Sequence, residues 1–236
     1  MSPLVAIIIG LALLVPAIVI AVPVHEMGHA AAAYLLGDRS VRYYGYFTID
    51  PRRFLEPVGV LAIFLGLVGW GRRVPIQANR INTPAKKVLY ELGGPAANLL
   101  VALVLGQAVR AMLAAGFHLS FNVPSLILLG IVWVIVFLNL SLFAFNLLPV
   151  PGLDGWNIIE VLFRSRWPRF FFEVRVRQRE ILAGLVLILV LFNFFNHVNL
   201  LNPIMSPFFQ PASLISTGAC LFYGVPYISS LIPCLL

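Results

Sequence analysis

His25-Glu26-Met27-Gly28-His29 places two histidines four residues apart, with a glutamate after the first, inside a run of apolar residues. On a helix, positions four apart share a face, so both imidazoles can converge on one metal ion. Glu26 projects beside them, where a carboxylate can take a proton from water activated at the metal without itself being a ligand. Gly28 is expected to keep the space beside the two rings open. Together these groups suit hydrolysis by metal-activated water, and ionisable side chains within a membrane segment generally serve a function. An accidental packing pair, or a site that stores or carries an ion without chemistry, would use the same residue types.

The elements that must position these groups are membrane helices. Of 236 residues, 61% are hydrophobic and 11% charged, and the mean hydropathy is +0.97, which excludes an ordinary soluble enzyme. The expectation is an α-helical polytopic membrane protein with about four to six transmembrane helices. Residues 1–236 are read as a single membrane-embedded domain, with a catalytic core over about 1–160 and a C-terminal helix and apolar tail over 161–236. The apolar segment Pro3 to Leu36 is interrupted only by His25, Glu26 and His29. At about 1.5 Å per residue it exceeds the roughly 30 Å hydrocarbon core. Counted back from Asp38, the motif lies about 13–20 Å inside one polar end. Pro23 removes a helical hydrogen bond just before the motif, so a bend is expected there. A cleaved signal peptide fits poorly, because no basic region precedes the apolar run.

Further spans are expected over Val88 to Ala115, Val123 to Leu148 and Ile181 to Phe195. The run from Pro57 to Trp70 has 14 residues and is marginal for a crossing. Charge arbitrates: if 57–70 enters and returns on one side, 15 of the 16 basic residues fall on the cytosolic side, leaving Arg110 alone outside. A re-entrant segment near 57–70 is therefore expected, with the N-terminus outside and the metal site opening toward the cytosol. The net charge of +7 then reflects topology and attraction to anionic lipid, and no nucleic-acid partner is expected.

A hydrolytic zinc site needs a third protein ligand and an open fourth position. His118 and His197 fall near outer helix ends, and Glu160, Glu173 and Glu180 in or beside the basic cytosolic segment. Asp154 is better placed, at the end of Asn146-Leu147-Leu148-Pro149-Val150-Pro151-Gly152-Leu153-Asp154-Gly155. Its prolines and glycines break the helix, and broken backbone at membrane depth is tolerated where it lines a cavity. Taken alone, such a loop is also an ordinary turn.

Three ordered motifs, HEMGH at 25–29, GGPAANLL at 93–100 and NLLPVPGLDG at 146–155, resemble the site-2 protease family of intramembrane zinc metalloproteases, in its short form without a PDZ domain. The resemblance runs from about Val22 to Ile159. It implies that His25, His29 and Asp154 hold one Zn2+ per chain, that Glu26 is the catalytic base, and that the helix following Gly94-Pro95-Ala96-Ala97-Asn98 packs against the metal site. The connector, Thr48 to Gly59 followed by Gly69-Trp70-Gly71 and Val74-Pro75, is similar to that subgroup. Phe54 and Glu56 stand where related connectors often carry a His and an Asp. The implied activity is hydrolysis of peptide bonds in or near transmembrane segments of membrane-protein substrates, in a prokaryotic cell membrane.

Asn98 and Asn146 are candidates to hydrogen-bond the substrate backbone or a developing oxyanion, or to join helices. Glu91 fits either a structural partner of a basic residue or a site residue. Val41 to Ile49, rich in aromatic and β-branched residues, reads as a short strand or β-hairpin near 41–50 whose edge would pair with unwound substrate, or as an interfacial aromatic belt. Residues 164–179 read as an interfacial helix. The uncharged tail after Asn199 is expected at the outer leaflet, with Cys220 and Cys234 either paired or simply packed. The competing function is a non-proteolytic metal-binding membrane protein, a transporter or a degenerate protease. A transporter would spread polar residues along a path through several helices, whereas here they gather at one depth.

Overall fold

The computed structural model describes residues 3–48, 50–117, 123–196 and 200–218. Its helices are α1 (Pro3–Leu35), α2 (Ser40–Tyr43), α3 (Pro57–Gly66), α4 (Pro84–Ala114), α5 (Val123–Asn146), α6 (Asp154–Phe163), α7 (Pro168–Asn196) and α8 (Leu201–Thr217). Among the described residues, three are long and apolar enough to cross a membrane: α1 over Ile8–Leu35, α4 and α5. These three also pack most extensively on one another. α1 continues as one helix past Pro16 and Pro23.

Small residues decide how closely α1 and α4 approach. A methyl group added at Gly28 would run into the Gly93 carbonyl and the Ala97 side chain, and one added at Gly93 would meet Ala32 and the Gly28 carbonyl. Where lipid gives no hydrophobic drive between helices, such backbone contact supplies the packing. Gly28 therefore serves the helix seam rather than the space beside the imidazoles. On its far side α4 approaches α8 in the same way, at Gly106 against Ser216. α8 buries Met205, Phe209 and Ala212, so the described part of the tail is packed into the bundle against α4 and α5. Cys220 and Cys234 lie outside the described residues.

α3 is too short to cross. Ten residues rise only about 15 Å. Leu67 takes a left-handed φ of 56°, and the chain then doubles back. A Cβ on Gly59 would strike the backbone of Trp70, and one on Gly69 the carbonyl of Gly59. The segment thus leaves and returns side by side.

The strand or hairpin expected near 41–50 is not formed in the described part of that segment. Asp38 Oδ1 accepts from the Ser40 amide at 3.1 Å and from its hydroxyl at 2.5 Å, an Asx turn that opens a helical turn instead of a strand. α2 follows with Val41 buried, and Gly45 then adopts φ 72°. Local side-chain bonding has overridden β propensity. Among the described residues, extended pairing is confined to an isolated antiparallel bridge between Leu55 and Gly71. The basic stretch read as an interfacial helix over 164–179 is helical from Pro168 and runs on into the apolar stretch after Ile181 as one continuous α7. Pro168 starts this helix, and no glycine or proline intervenes before Gly184 to stop it.

Candidate metal centre

The site is assembled by α1, α4 and the start of α6. α1 carries His25, Glu26 and His29, which are 5%, 3% and 2% exposed. Asp154 reaches them because α5 ends at Asn146 and the chain reverses within seven residues. Gly152 takes a φ of +100°, and Gly155 sits so close to the Leu147 carbonyl that a Cβ would not fit. Asp154 then opens α6, in whose first turn a carboxylate is favoured.

The hydrogen bonds fix which ring atoms face inward. His29 Nδ1 lies 2.8 Å from the Tyr90 carbonyl oxygen, which can only accept, so Nδ1 carries the proton and Nε2 a lone pair. Asn98 Nδ2 donates to the Ala21 carbonyl at 3.0 Å and to Asn139 Oδ1 at 2.8 Å. That orients its Oδ1 toward His25 Nδ1, 2.7 Å away, and His25 Nδ1 donates in turn. Both Nε2 atoms therefore present lone pairs, 3.2 Å apart.

Asp154 Oδ2 completes the set at 3.1 Å from His25 Nε2 and 3.2 Å from His29 Nε2. Among the described residues no donor satisfies this buried oxygen, and none satisfies the buried Glu26 Oε2. Three lone pairs held together without a proton between them are mutually repulsive unless a cation joins them. The separations suit zinc: donor atoms about 2.0–2.2 Å from a tetrahedral centre lie roughly 3.3–3.6 Å apart. Among the described residues, His25, His29 and Asp154 are the group of this kind that could hold a metal. His118 and His197 lie outside the described residues, and Glu160 is engaged elsewhere, with Arg175 at 2.8 Å.

Gly94 forms the wall against the rings. A Cβ there would lie 2.7 Å from His25 Nε2 and closer still to His29 Nε2. The space beside the rings that the sequence reading gave to Gly28 is kept open by Gly94, one helix away. The helix after Gly94 does pack on the site, as expected.

Asn98 is not available as a substrate or oxyanion donor. It is fully buried, both its amide hydrogens are given to Ala21 and Asn139, and its oxygen accepts from His25. Its place is behind the imidazole, fixing tautomer and orientation. Spacing along the chain could not reveal this, because the partner that saturates it, Asn139, sits on a third helix. Asn146 donates one amide hydrogen to the Leu142 carbonyl at 2.9 Å.

Two residues gain a role here that the sequence did not assign. Arg73 Nη2 donates to Asp154 Oδ1 at 3.2 Å and to Glu91 Oε2 at 2.7 Å. Asn157 Nδ2 adds a bond to the same Glu91 oxygen at 3.1 Å. The Arg73 side chain is 47% exposed, and the Glu91 and Asp154 carboxylates beside it raise its pKa above the ordinary value. A basic residue in a basic loop had read as a topology signal alone.

Known proteins resemble this chain over about 60% of its length. A Bacillus subtilis protein named "Putative zinc metalloprotease YwhC" is 33% identical over 160 residues, 63% of this chain and 68% of that protein. "Putative zinc metalloprotease Rip2" of Mycobacterium tuberculosis is 36% identical over 152 residues, 61% of this chain and 55% of the relative. Rip2 of Mycolicibacterium smegmatis is 35% identical over 142 residues, 58% and 51% respectively. The chain thus spans about half the length of the Rip2 proteins. No family model matches it, and no solved structure does.

Proposed function

This chain belongs to the site-2 protease family of zinc metalloproteases, and on that premise we propose that it hydrolyses peptide bonds in or near transmembrane segments of other membrane proteins. The observation that carries the reading is the meeting of two imidazole lone pairs and a carboxylate oxygen within 3.2 Å, with a buried glutamate next in sequence.

His25 Nε2, His29 Nε2 and Asp154 Oδ2 would hold the zinc. When bound, zinc polarises a carbonyl and lowers the pKa of water toward neutrality. Asn98 and the Tyr90 carbonyl keep both Nδ1 atoms protonated, so the Nε2 lone pairs stay committed to the metal. Glu26 Oε2, free of protein partners, accepts the proton of the attacking water and returns it to the leaving amide nitrogen. Asn146 retains one amide hydrogen with which to steady the substrate backbone.

Multi-pass insertion with the site opening toward the cytosol is supported by the three apolar helices and by the doubling back of residues 57–70, which keeps 15 of the 16 basic residues on one side. The named relatives are bacterial, in keeping with a prokaryotic cell membrane. We take residues 1–236 as one membrane-embedded domain, its substrates transmembrane proteins and its surroundings lipid, with no nucleic-acid partner.

The test is cleavage of a weakly helical transmembrane peptide in liposomes by wild type and Glu26→Gln, with bound zinc quantified in both. Retained zinc with turnover reduced by about 10²–10⁴-fold or more is expected for loss of a general base. Equal cleavage by both proteins refutes the role of Glu26. Zinc binding without cleavage by wild type would favour the metal-binding alternative.

A further inference from the structure

Four consecutive residues, Gly71 to Val74, reach Glu26, Asp154 and, through Tyr90, the residue that supports His29. Gly71 lies against Glu26: a Cβ there would come within 2.6 Å of Glu26 Oε1. The Arg72 amide donates to the Phe54 carbonyl at 2.7 Å, tying the segment to the connector. Arg73 bridges Asp154 and Glu91. The Val74 carbonyl accepts the Tyr90 hydroxyl at 2.8 Å, and Tyr90 in turn receives His29 Nδ1 on its own carbonyl.

Within this strap Arg73 acts on an atom the ligand set leaves over. The Asp154 carboxylate could offer a metal either oxygen or both. Arg73 Nη2 occupies Oδ1, while Oδ2 faces the two imidazoles. Glu91, 8% exposed, anchors the guanidinium from α4 and is itself held by Asn157 on α6. Arg73 Nη2 is thus fixed between the two helices that must stay in register for Asp154 to reach α1.

We propose that Arg73 is a positioning residue for the third ligand: it holds Oδ1 so that Asp154 presents Oδ2 alone to the metal, and it couples the 71–74 strap to the site. The proposal rests on the metalloprotease reading. It differs from a plain loop latch, which would leave the ligand set unchanged once the protein is folded. Lysine is a poor substitute, because both bonds leave one guanidinium nitrogen, Nη2, at a single fixed point, where an ammonium on a shorter, flexible stem would not be held.

The experiment uses the full chain in detergent micelles, with zinc affinity measured by competition against a chromophoric chelator and the visible spectrum recorded at saturating cobalt. Arg73→Gln is expected to weaken zinc by about 10–100-fold, the usual effect of losing such a supporting partner, and to alter the cobalt band because Oδ1 is released. Arg73→Lys is expected to fall between the two. Wild-type affinity and an unchanged cobalt band in folded Arg73→Gln would overturn the proposal while leaving the metalloprotease reading intact. Should Arg73→Gln fail to fold, Arg73→Lys decides, and wild-type values for both measurements overturn it. If the wild type itself binds no zinc, and His25→Ala changes nothing, the metalloprotease reading fails first.

Discussion

Replacing Gly94 with alanine adds one methyl group at the place where α4 faces both imidazoles. That methyl would lie 2.7 Å from His25 Nε2 and from His25 Cε1, whereas ordinary van der Waals contact begins near 3.4 Å. The atoms it meets are ring atoms bearing the metal-facing lone pairs, and the rings are pinned from behind by Asn98 and the Tyr90 carbonyl. Retreat by roughly 0.7 Å is several times the tolerance of about 0.2 Å in zinc–ligand distances. A site holding zinc through three protein ligands with about 10–16 kcal/mol in all gives up roughly 3 kcal/mol or more when one is displaced. That corresponds to a loss of affinity of about 100-fold or greater. The assay is chelator competition on purified wild type and Gly94→Ala, with circular dichroism confirming equal helix content. Wild-type zinc affinity in a folded Gly94→Ala protein would refute the placement of α4 against the rings.

Asn98→Ala is expected to lower zinc affinity by about 10–100-fold, because His25 Nδ1 loses its acceptor; an effect confined to KM would restore a substrate contact for this residue. Asp38 makes an acid-sensitive joint between the end of α1 and the connector. Burial raises its pKa, but the Gln77 amide and the Ser40 hydroxyl and amide outweigh that and leave it below 3.8. Its stabilisation is therefore present above the unfolded value near 3.8 and lost as pH falls through the lower folded value. Thermal unfolding should show an acid-side loss below about pH 4 that Asp38→Asn removes; an identical pH profile in the two proteins would count against the joint.

How much of this was legible in the sequence depends on how local each interaction is. His25 and His29 are joined by the helical repeat alone, so their convergence could be read directly. Asp154 was found through the breakers around it: Pro149, Pro151, Gly152 and Gly155 announce a reversal, and the reversal delivers the carboxylate. The doubling back of 57–70 was legible from charge and length. The segment at 41–50 was misread because its β-branched and aromatic content gave no weight to Asp38, whose oxygen bonds Ser40 and starts a helical turn. Asn98 stood open between a substrate contact and a helix-joining role, and its hydrogen bonds place it in the second. Its polar atoms are spent on α1 and α5, and no spacing along α4 can show that a side chain is already saturated.

The glycines carry the less visible part of the design. Gly28 and Gly93 bring α1 and α4 into backbone contact, and Gly94, one residue on, then faces the imidazoles instead of the seam. These two functions cannot be separated: without the close crossing, Asn98 and the Tyr90 carbonyl on α4 would not reach the Nδ1 atoms on α1. The tautomer that frees both Nε2 lone pairs is thus a consequence of helix packing, and only secondarily of the histidines themselves. An HExxH pair on an isolated helix would have two equivalent nitrogens per ring and no reason to point either inward. In this chain Asn98 and the Tyr90 carbonyl make the choice, and Gly93 and Gly94 let α4 come close enough for them to do so.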